Sequence, residues 1–331
     1  MRLPARTDLL FAGSAGGHLD LLMAVAPAIT DGRRPVWVTS RTSRGEALRD
    51  ARDDMELVPE YGRSPVSALR NVLASARIVA RHRPRIVVSS GAGVVVPLCL
   101  MARLSGARLV HVETMARVSS PSQTGRLMAK VASRTIVQWP ELKTKLPGAT
   151  VCEPLLLEGI PDGERSPGDG TFVAVGTHEQ GFSRLLGIVQ RAAAAGVLPG
   201  PIFAQTGPSH LDSPLIESTP FLAAHELQSR LRSARVVVCH AGAGIISSAL
   251  AAGRTPIVVP RRSALMEHVD DHQYQLSRKL AQWGLVVLIE DEITAEHVAA
   301  ATRSLSLPTE LRGGPSIADV LRSELDRVPS L

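Results

Sequence analysis

The residues best suited to chemistry sit in a few glycine-rich turns and one polar cluster. The first turn is GSAGGH at 13–18, which ends an apolar run and opens a helical pattern. Glycines let a backbone approach a ligand closely, and a helix start offers unpaired N–H groups and a positive dipole end to an anion. Gly16, Gly17 and His18 are therefore a candidate anion-binding turn, with a bare βα turn as the alternative. The pattern is not GxGxxG and lacks the GK[ST] of a triphosphate loop, which disfavours a dinucleotide or ATP site. In the second half, VGTH at 175–178 and HAGAG at 240–244 repeat the arrangement. Gly242, Ala243 and Gly244 open a helix and make a seat for a diphosphate, unless their glycines serve only packing. The densest polar run is EHVDDHQ at 267–273. So many hydrogen-bonding groups just after a strand suit a ligand rich in hydroxyls; a helix cap led by Asp270 or Asp271 is the alternative. His268 and His272 stand four apart, but the order is neither HExxH nor HxxEH and no third ligand is evident, so no metal is expected. No GxSxG elbow and no cysteine beside a histidine supports covalent catalysis.

These turns need strands and helices to hold them. Strand-like runs fall at 8–12, 36–39, 86–90, 109–112 and 135–138, and again at 172–175, 202–205, 236–239, 257–259 and 286–289. Helical patterns fall near 18–30, 65–82, 94–105 and 122–132, then near 182–195, 225–233, 245–252, 271–283 and 294–303. Repeated β-then-α order implies parallel sheets with helices on both faces. The polar Pro/Gly stretch at 161–170 reads as a linker, which predicts an α/β domain over 1–160 and another over 171–331. Two doubly wound domains facing each other predict a cleft at the carboxyl ends of their strands.

The chain has 331 residues, 44% of them apolar and 21% charged, an ordinary globular mixture with enough length for two domains. No run of 18 apolar residues exists, so a spanning helix is not expected, and the N-terminus lacks the apolar core of a secretory signal. Cys99, Cys152 and Cys239 lie far apart and fit a reducing cytoplasm. Residues 1–165 carry 23 Lys and Arg against 15 Asp and Glu, whereas 166–331 carry 14 against 16. A basic first half suits a phosphorylated or membrane partner. Only 5 Phe, 3 Trp and 2 Tyr are present, too few for the stacking platform of a nucleic-acid binder.

Several motifs together resemble a known enzyme family. GSAGGH at 13–18, SGAG at 90–93, VETMAR at 112–117, PSQTGR at 121–126 and VQWPE at 137–141 resemble the acceptor-side subunit of the dolichol-pathway N-acetylglucosaminyltransferase and its bacterial exopolysaccharide relatives. VGTH at 175–178, FSRL at 182–185, QTG at 205–207, HAGAG at 240–244, VPR at 259–261 and EHVDDHQ at 267–273 resemble the donor-side subunit, a family 28 glycosyltransferase C-terminal domain. The chain is similar to a fusion of the two. The resemblance implies a GT-B fold of two Rossmann-like domains, and transfer of a sugar from a UDP-sugar to a polyprenyl-diphosphate-linked sugar with inversion. It implies no metal and no other cofactor. Gly242, Ala243 and Gly244 would hold the diphosphate, with His240 beside them. Gly176, Thr177 and His178 would lie near the phosphates or the sugar, Phe221 and Leu222 would wall the uracil, and Glu267, Asp271, His272 and Gln273 would meet the donor sugar. On the acceptor side Gly16, Gly17, His18 and Arg117 would bind, and His18 or Glu113 would serve as base. One departure is that Ser247 and Ser248 stand where many relatives carry a ribose-binding glutamate, which points to the exopolysaccharide branch and leaves N-acetylglucosamine, glucose, galactose and glucuronic acid open as donor sugars.

The basic stretch 64–85 among apolar residues predicts peripheral attachment to an anionic inner membrane face; a solvated helix packed on the sheet is the alternative. Two other functions compete with transfer: a UDP-sugar 2-epimerase-like enzyme, which needs no lipid-facing surface, and a non-catalytic UDP-sugar-binding scaffold.

Overall fold

Short runs rich in Val, Ile and Leu, buried on both faces, build two parallel sheets. The computed structural model describes residues 7–60, 64–161, 167–176, 180–267, 272–305, 307 and 313–328. The chain divides into two compact units, Met1–Leu155 with Gly313–Leu331, and Leu156–Arg312.

The first unit contains β1 (Leu9–Gly13), α1 (Gly17–Val25), β2 (Val36–Ser40), α2 (Ser43–Asp50), β3 (Met55–Val58), α3 (Pro65–His82), β4 (Ile86–Gly91), α4 (Val96–Leu104), β5 (Arg108–Val112), α5 (Gln123–Val131), β6 (Arg134–Val137) and β7 (Thr150–Val151). The strands lie in the order β3-β2-β1-β4-β5-β6-β7, all parallel. The order reverses between β1 and β4, where open α/β sheets take ligands. A register shift after Ala12 brings Gly13 opposite Gly91 at that point. α3 starts on Pro65, with Ser64 Oγ accepting from Val66 N. Pro at the first helical position and a serine cap are both helix-start signals.

The second unit contains β8 (Asp169–Ala174), α6 (Ser183–Ala194), β9 (Ile202–Gln205), β10 (Ile216–Thr219), α7 (Ala224–Ser233), β11 (Ala234–His240), α8 (Ala243–Ala251), β12 (Ile257–Val259), α9 (His272–Gln282), β13 (Val287–Leu288) and α10 (Ala295–Ala301). Its sheet runs β10-β9-β8-β11-β12-β13, again all parallel, with the reversal between β8 and β11. The core gathers Val173, Leu185, Val189, Val236, Val238 and Ile257 from both sheet and helix.

The division differs from the expected one at both ends. Residues 169–170, assigned to a linker, already lie in β8, and the rest of that stretch within 162–166 falls outside the described residues. The last helix, α11 (Ile317–Asp326), belongs to the first unit rather than to a 171–331 domain. It buries Ile317, Leu321 and Leu325. Its fully buried Glu324 accepts from Arg108 Nε and from Arg134 Nε at 3.2 Å, and forms an ion pair with Arg327 at 3.2 Å. Burial raises the proton affinity of that carboxyl, but the hydrogen bonds of Arg108 and Arg134 outweigh it and hold Glu324 below the ordinary range.

Candidate functional site

In the first unit the carboxyl ends of β1 and β4 are locked together by a reciprocal pair. The His18 ring places Nδ1 2.8 Å from the Ser90 carbonyl, and Ser90 Oγ donates to the His18 carbonyl at 2.7 Å. A carbonyl only accepts, so Nδ1 carries the hydrogen and the lone pair of the neutral ring sits on Nε2. Gly13 makes the contact possible, because a Cβ there would lie 2.6 Å from Ser90 Oγ. The backbone that follows is strained: Gly91 has φ 97° and Ala92, a residue with a Cβ, has φ 74°. Gly17 opens α1 without a side-chain cap, and a Cβ at Gly16 or Gly17 would meet nothing within 4 Å. Packing therefore does not explain Gly17.

Glu113 follows β5 and is fully buried. Its Oε2 accepts from Ser122 N and Ser122 Oγ, both at 3.1 Å, and its Oε1 from Thr114 N at 3.2 Å. Burial raises its proton affinity, and these bonds and the charge of Arg117 offset only part of that. Gly125 leaves room for the carboxylate, since a Cβ there would lie 1.8 Å from Oε2. Ser122 in turn caps α5 by accepting from Gly125 N at 2.8 Å. Glu113 thus fastens the loop 114–122, which carries half-buried Arg117, to the start of α5. Gln138 and Trp139 brace the same loop by donating to the carbonyls of Glu113 and Met115.

Sequence reasoning missed His111. It is fully buried, and a Cβ on Gly91 would lie 3.3 Å from its Cε1 and 3.8 Å from that of His18. Burial, and then the neighbouring His18, push its imidazole down to about 4. A histidine on a buried strand carries no sequence mark of that kind.

The second unit repeats the design around His240. Its ring lies between two glycines: a Cβ would fall 2.7 Å from it at Gly176 and 2.3 Å from it at Gly242. Gly176 has φ 90°, and Gln205 Nε2 holds its carbonyl at 3.1 Å and that of Pro220 at 2.8 Å. Gly242 caps α8 without a side-chain bond, leaving the first-turn N–H groups of Ala243 and Gly244 to another acceptor. A Cβ at Gly244 would meet nothing within 4 Å. Phe221 is 57% exposed and Leu222 half-buried just before α7. Ser247 and Ser248 are half-buried on α8.

The expected sugar cluster is only partly described. Thr177, His178 and Asp271 lie outside the described residues, as does the side chain of His272. Glu267 receives a two-pronged contact from Arg184, at 2.9 Å to each oxygen, and accepts from Arg262 N at 3.0 Å. Gln273 is buried with Oε1 3.3 Å from Arg261 N. Behind both stands Arg261, buried, 4.6 Å from the Phe182 ring and donating to the carbonyls of Gly181, Glu267 and Val175. Arginine reads as a surface residue in sequence, so this brace was not foreseen. Among the described residues no three His, Cys, Asp or Glu side chains are grouped as a metal site.

Comparison with known proteins agrees with this architecture. Residues 48–154 match the family described as oligosaccharide biosynthesis protein Alg14 like, and residues 171–311 match the glycosyltransferase family 28 C-terminal domain. A UDP-N-acetylglucosamine--N-acetylmuramyl-(pentapeptide) pyrophosphoryl-undecaprenol N-acetylglucosamine transferase of Cupriavidus necator is 29% identical over 335 residues, spanning 92% of this chain and 90% of its own. Among solved structures, MurG of Acinetobacter baumannii aligns at a TM-score of 0.66 and 18% identity over 97% of this chain and 99% of its own. A UDP-GlcNAc 2-epimerase of Methanocaldococcus jannaschii aligns at 0.66 and 10% identity over 96% and 99%. Likeness at such identities speaks to fold alone. With an Alg14-like segment joined to a segment that matches the glycosyltransferase family 28 C-terminal domain, on two parallel sheets of the same strand order, the chain is a glycosyltransferase of GT-B fold.

Proposed function

We propose that the chain is an inverting hexosyltransferase that moves the sugar of a UDP-sugar to a hydroxyl of a polyprenyl-diphosphate-linked sugar. One observation carries the reading. Each sheet sets a glycine turn at its point of strand-order reversal, and each turn feeds an uncapped helix whose first turn keeps a glycine, Gly17 or Gly244, with open space around it. Glycine in a helix costs about 1 kcal/mol relative to alanine, so a ligand is the simplest reason for the space. The Alg14-like first half favours transfer over the epimerase and scaffold readings.

In this reading α8 takes the donor. Its N–H groups receive the charge that gathers on the UDP diphosphate as the glycosidic bond breaks, so no metal is called on. His240, pinned between Gly176 and Gly242, shapes the floor of that seat. Phe221 offers an exposed ring for uracil to cover. In the first unit His18 Nε2 takes the proton of the acceptor hydroxyl as its oxygen attacks the anomeric carbon, while Gly16, Gly17 and Arg117 hold the acceptor. Glu113 is the weaker base, because its burial and three hydrogen bonds already commit both oxygens. N-acetylglucosamine heads the donor sugars, since the Cupriavidus relative is an N-acetylglucosamine transferase. Glucose, galactose and glucuronic acid follow.

The acceptor would be met at the inner face of the membrane. No helix among the described residues is long and apolar enough to cross a membrane. Among the described residues of the first unit, the exposed large apolar side chains Val66, Leu69, Leu73, Leu104 and Leu127 all lie on α3, α4 and α5. Such a face suits peripheral contact with lipid. The test is UDP release from several UDP-sugars with and without a lipid extract. Release that needs the polyprenyl-diphosphate acceptor supports transfer; acceptor-independent conversion of UDP-GlcNAc to its 2-epimer, or UDP binding without turnover, sinks it.

A further inference from the structure

Beneath the helical face of the first unit is a cavity of about 1010 Å³ at the amino ends of β4 and β5. It lies at the opposite edge of the sheet from Gly91 and His18. β4 has six residues, so the two edges are roughly 20 Å apart. The cavity therefore belongs to neither glycine turn. Its wall is of two kinds. Four arginines line it, Arg83, Arg85, Arg108 and Arg327. Apart from Ser105 and Gly106 the rest is apolar, chiefly Val79, Met101 and Leu104. Only two carboxylates pair with those arginines among the described residues, Asp8 with Arg85 and Glu324 with Arg108 and Arg327. Four positive charges against two negative leave the wall electropositive.

Arg83 has no ion-pair partner among the described residues, and it ends α3 in the left-handed region at φ 45°, where glycine is the unstrained choice. A long cationic side chain is kept there against the backbone preference. The apolar wall also continues outward. Val66, Leu69, Leu73, Ala76 and Ala80 follow one another at helical spacing along α3 and are all exposed. The last two line the cavity. Leu104, 88% exposed, stands at its edge on α4.

We propose that this cavity seats one anionic glycerophospholipid, its phosphodiester among the four arginines and its acyl chains along α3 and Leu104. This rests on the membrane-facing reading above and adds to it a defined, non-substrate lipid site. A phosphodiester supplies the charge the arginines lack, and guanidinium groups pair with phosphate oxygens by directed, charge-assisted bonds. The apolar stripe sets this occupant apart from free phosphate, which has nothing to place there.

The test is titration of the purified protein with dihexanoyl-phosphatidylglycerol below its micelle concentration, followed by calorimetry. Dihexanoyl-phosphatidylcholine and inorganic phosphate serve as controls. The site predicts saturable one-to-one binding of the phosphatidylglycerol, and binding of both controls weaker by about tenfold or more. Arg83→Gly, which suits the left-handed backbone and so preserves the fold, should weaken phosphatidylglycerol by a similar factor. Leu104→Ser should weaken it while leaving inorganic phosphate unchanged. Equal affinity for inorganic phosphate reduces the cavity to an anion site and overturns the proposal. So does unsaturable binding, or binding indifferent to both substitutions. Flotation with phosphatidylglycerol–phosphatidylcholine vesicles separates the two readings. If vesicles bind the protein but the short-chain lipid does not, the lipid site falls and the membrane reading stands. If vesicles do not bind it at all, the membrane reading falls first.

Discussion

Replacing Gly125 by alanine tests whether Glu113 is a structural anchor. The new Cβ would lie 1.8 Å from Glu113 Oε2, 2.9 Å from Cδ and 3.1 Å from Ser122 Oγ. The carboxylate cannot swing into solvent, since Glu113 is fully buried, so it must give up the two bonds Oε2 accepts from Ser122. Hydrogen bonds to a charged group are worth about 1.5–3 kcal/mol each, and alanine returns up to about 1 kcal/mol of helix propensity, so the net loss is about 2–5 kcal/mol. In a Glu113→Ala background the same Cβ has room, and Gly125→Ala should be neutral or stabilise by up to about 1 kcal/mol. The chain has three tryptophans, and Trp37 and Trp139 are buried in the first unit. A Trp283→Phe background therefore makes fluorescence-monitored urea unfolding report the first unit alone. Gly125→Ala within about 0.5 kcal/mol of the parent, or equally costly in both backgrounds, refutes the anchor role.

Other outcomes follow from the same structure. Gly244→Ala should leave the fold intact or stabilise it by up to about 1 kcal/mol yet weaken UDP binding in calorimetry, and Gly244→Asp should weaken it further by like-charge repulsion. Unchanged affinity in both removes the diphosphate assignment. Gly242→Ala keeps an allowed backbone but drives a Cβ to 2.3 Å from His240 Nε2, so UDP affinity should fall about tenfold or more through a displaced ring, while His240→Gly should restore tolerance of that alanine. His111 is held at about 4, so between about pH 6.5 and 4 the unfolded chain takes up a proton that the folded one refuses. Stability should fall by about 3 kcal/mol as pH drops through that window, and the difference curve of His111→Phe against the parent should show its removal. For Glu267 burial pulls upward, but the Arg184 hydrogen bonds prevail and hold it low. Its contribution is full above about pH 4.3 and fades as pH falls below, so Glu267→Gln should flatten that limb of the second unit's acid titration.

The sheets were legible because buried parallel strands are continuous apolar runs: 202–205 and 257–259 match β9 and β12, and the pattern at 65–82 matches α3. β3 escaped notice because its four residues carry Glu56 and sit between Asp53-Asp54 and Pro59-Glu60, and β7 has only two residues. α11 has a plain amphipathic repeat in Ile317, Leu321 and Leu325, but nothing local says that it packs on the first unit; that depends on Arg108 and Arg134 meeting Glu324 across about 200 residues of chain. The glycine turns were visible because φ and close approach restrict residue choice. The direction in which Glu113 points was not, since a strand-end carboxylate can face a ligand or turn inward to cap a loop. Gln205 and Arg261 brace the second unit's turns from within by donating to backbone carbonyls, where sequence offers only an ordinary polar residue.

The most direct measurement of the central claim is the lipid product itself. Purified protein is given a UDP-sugar and a polyprenyl-diphosphate-linked sugar, the lipid is recovered for mass spectrometry and its new linkage is read by NMR. The account predicts one added hexosyl unit on the lipid, joined with inverted anomeric configuration. His18→Ala should lower its rate of formation by about 10²–10⁴-fold while UDP-sugar affinity barely changes. A lipid of unchanged mass, a retained anomeric configuration, or full turnover in His18→Ala would contradict it.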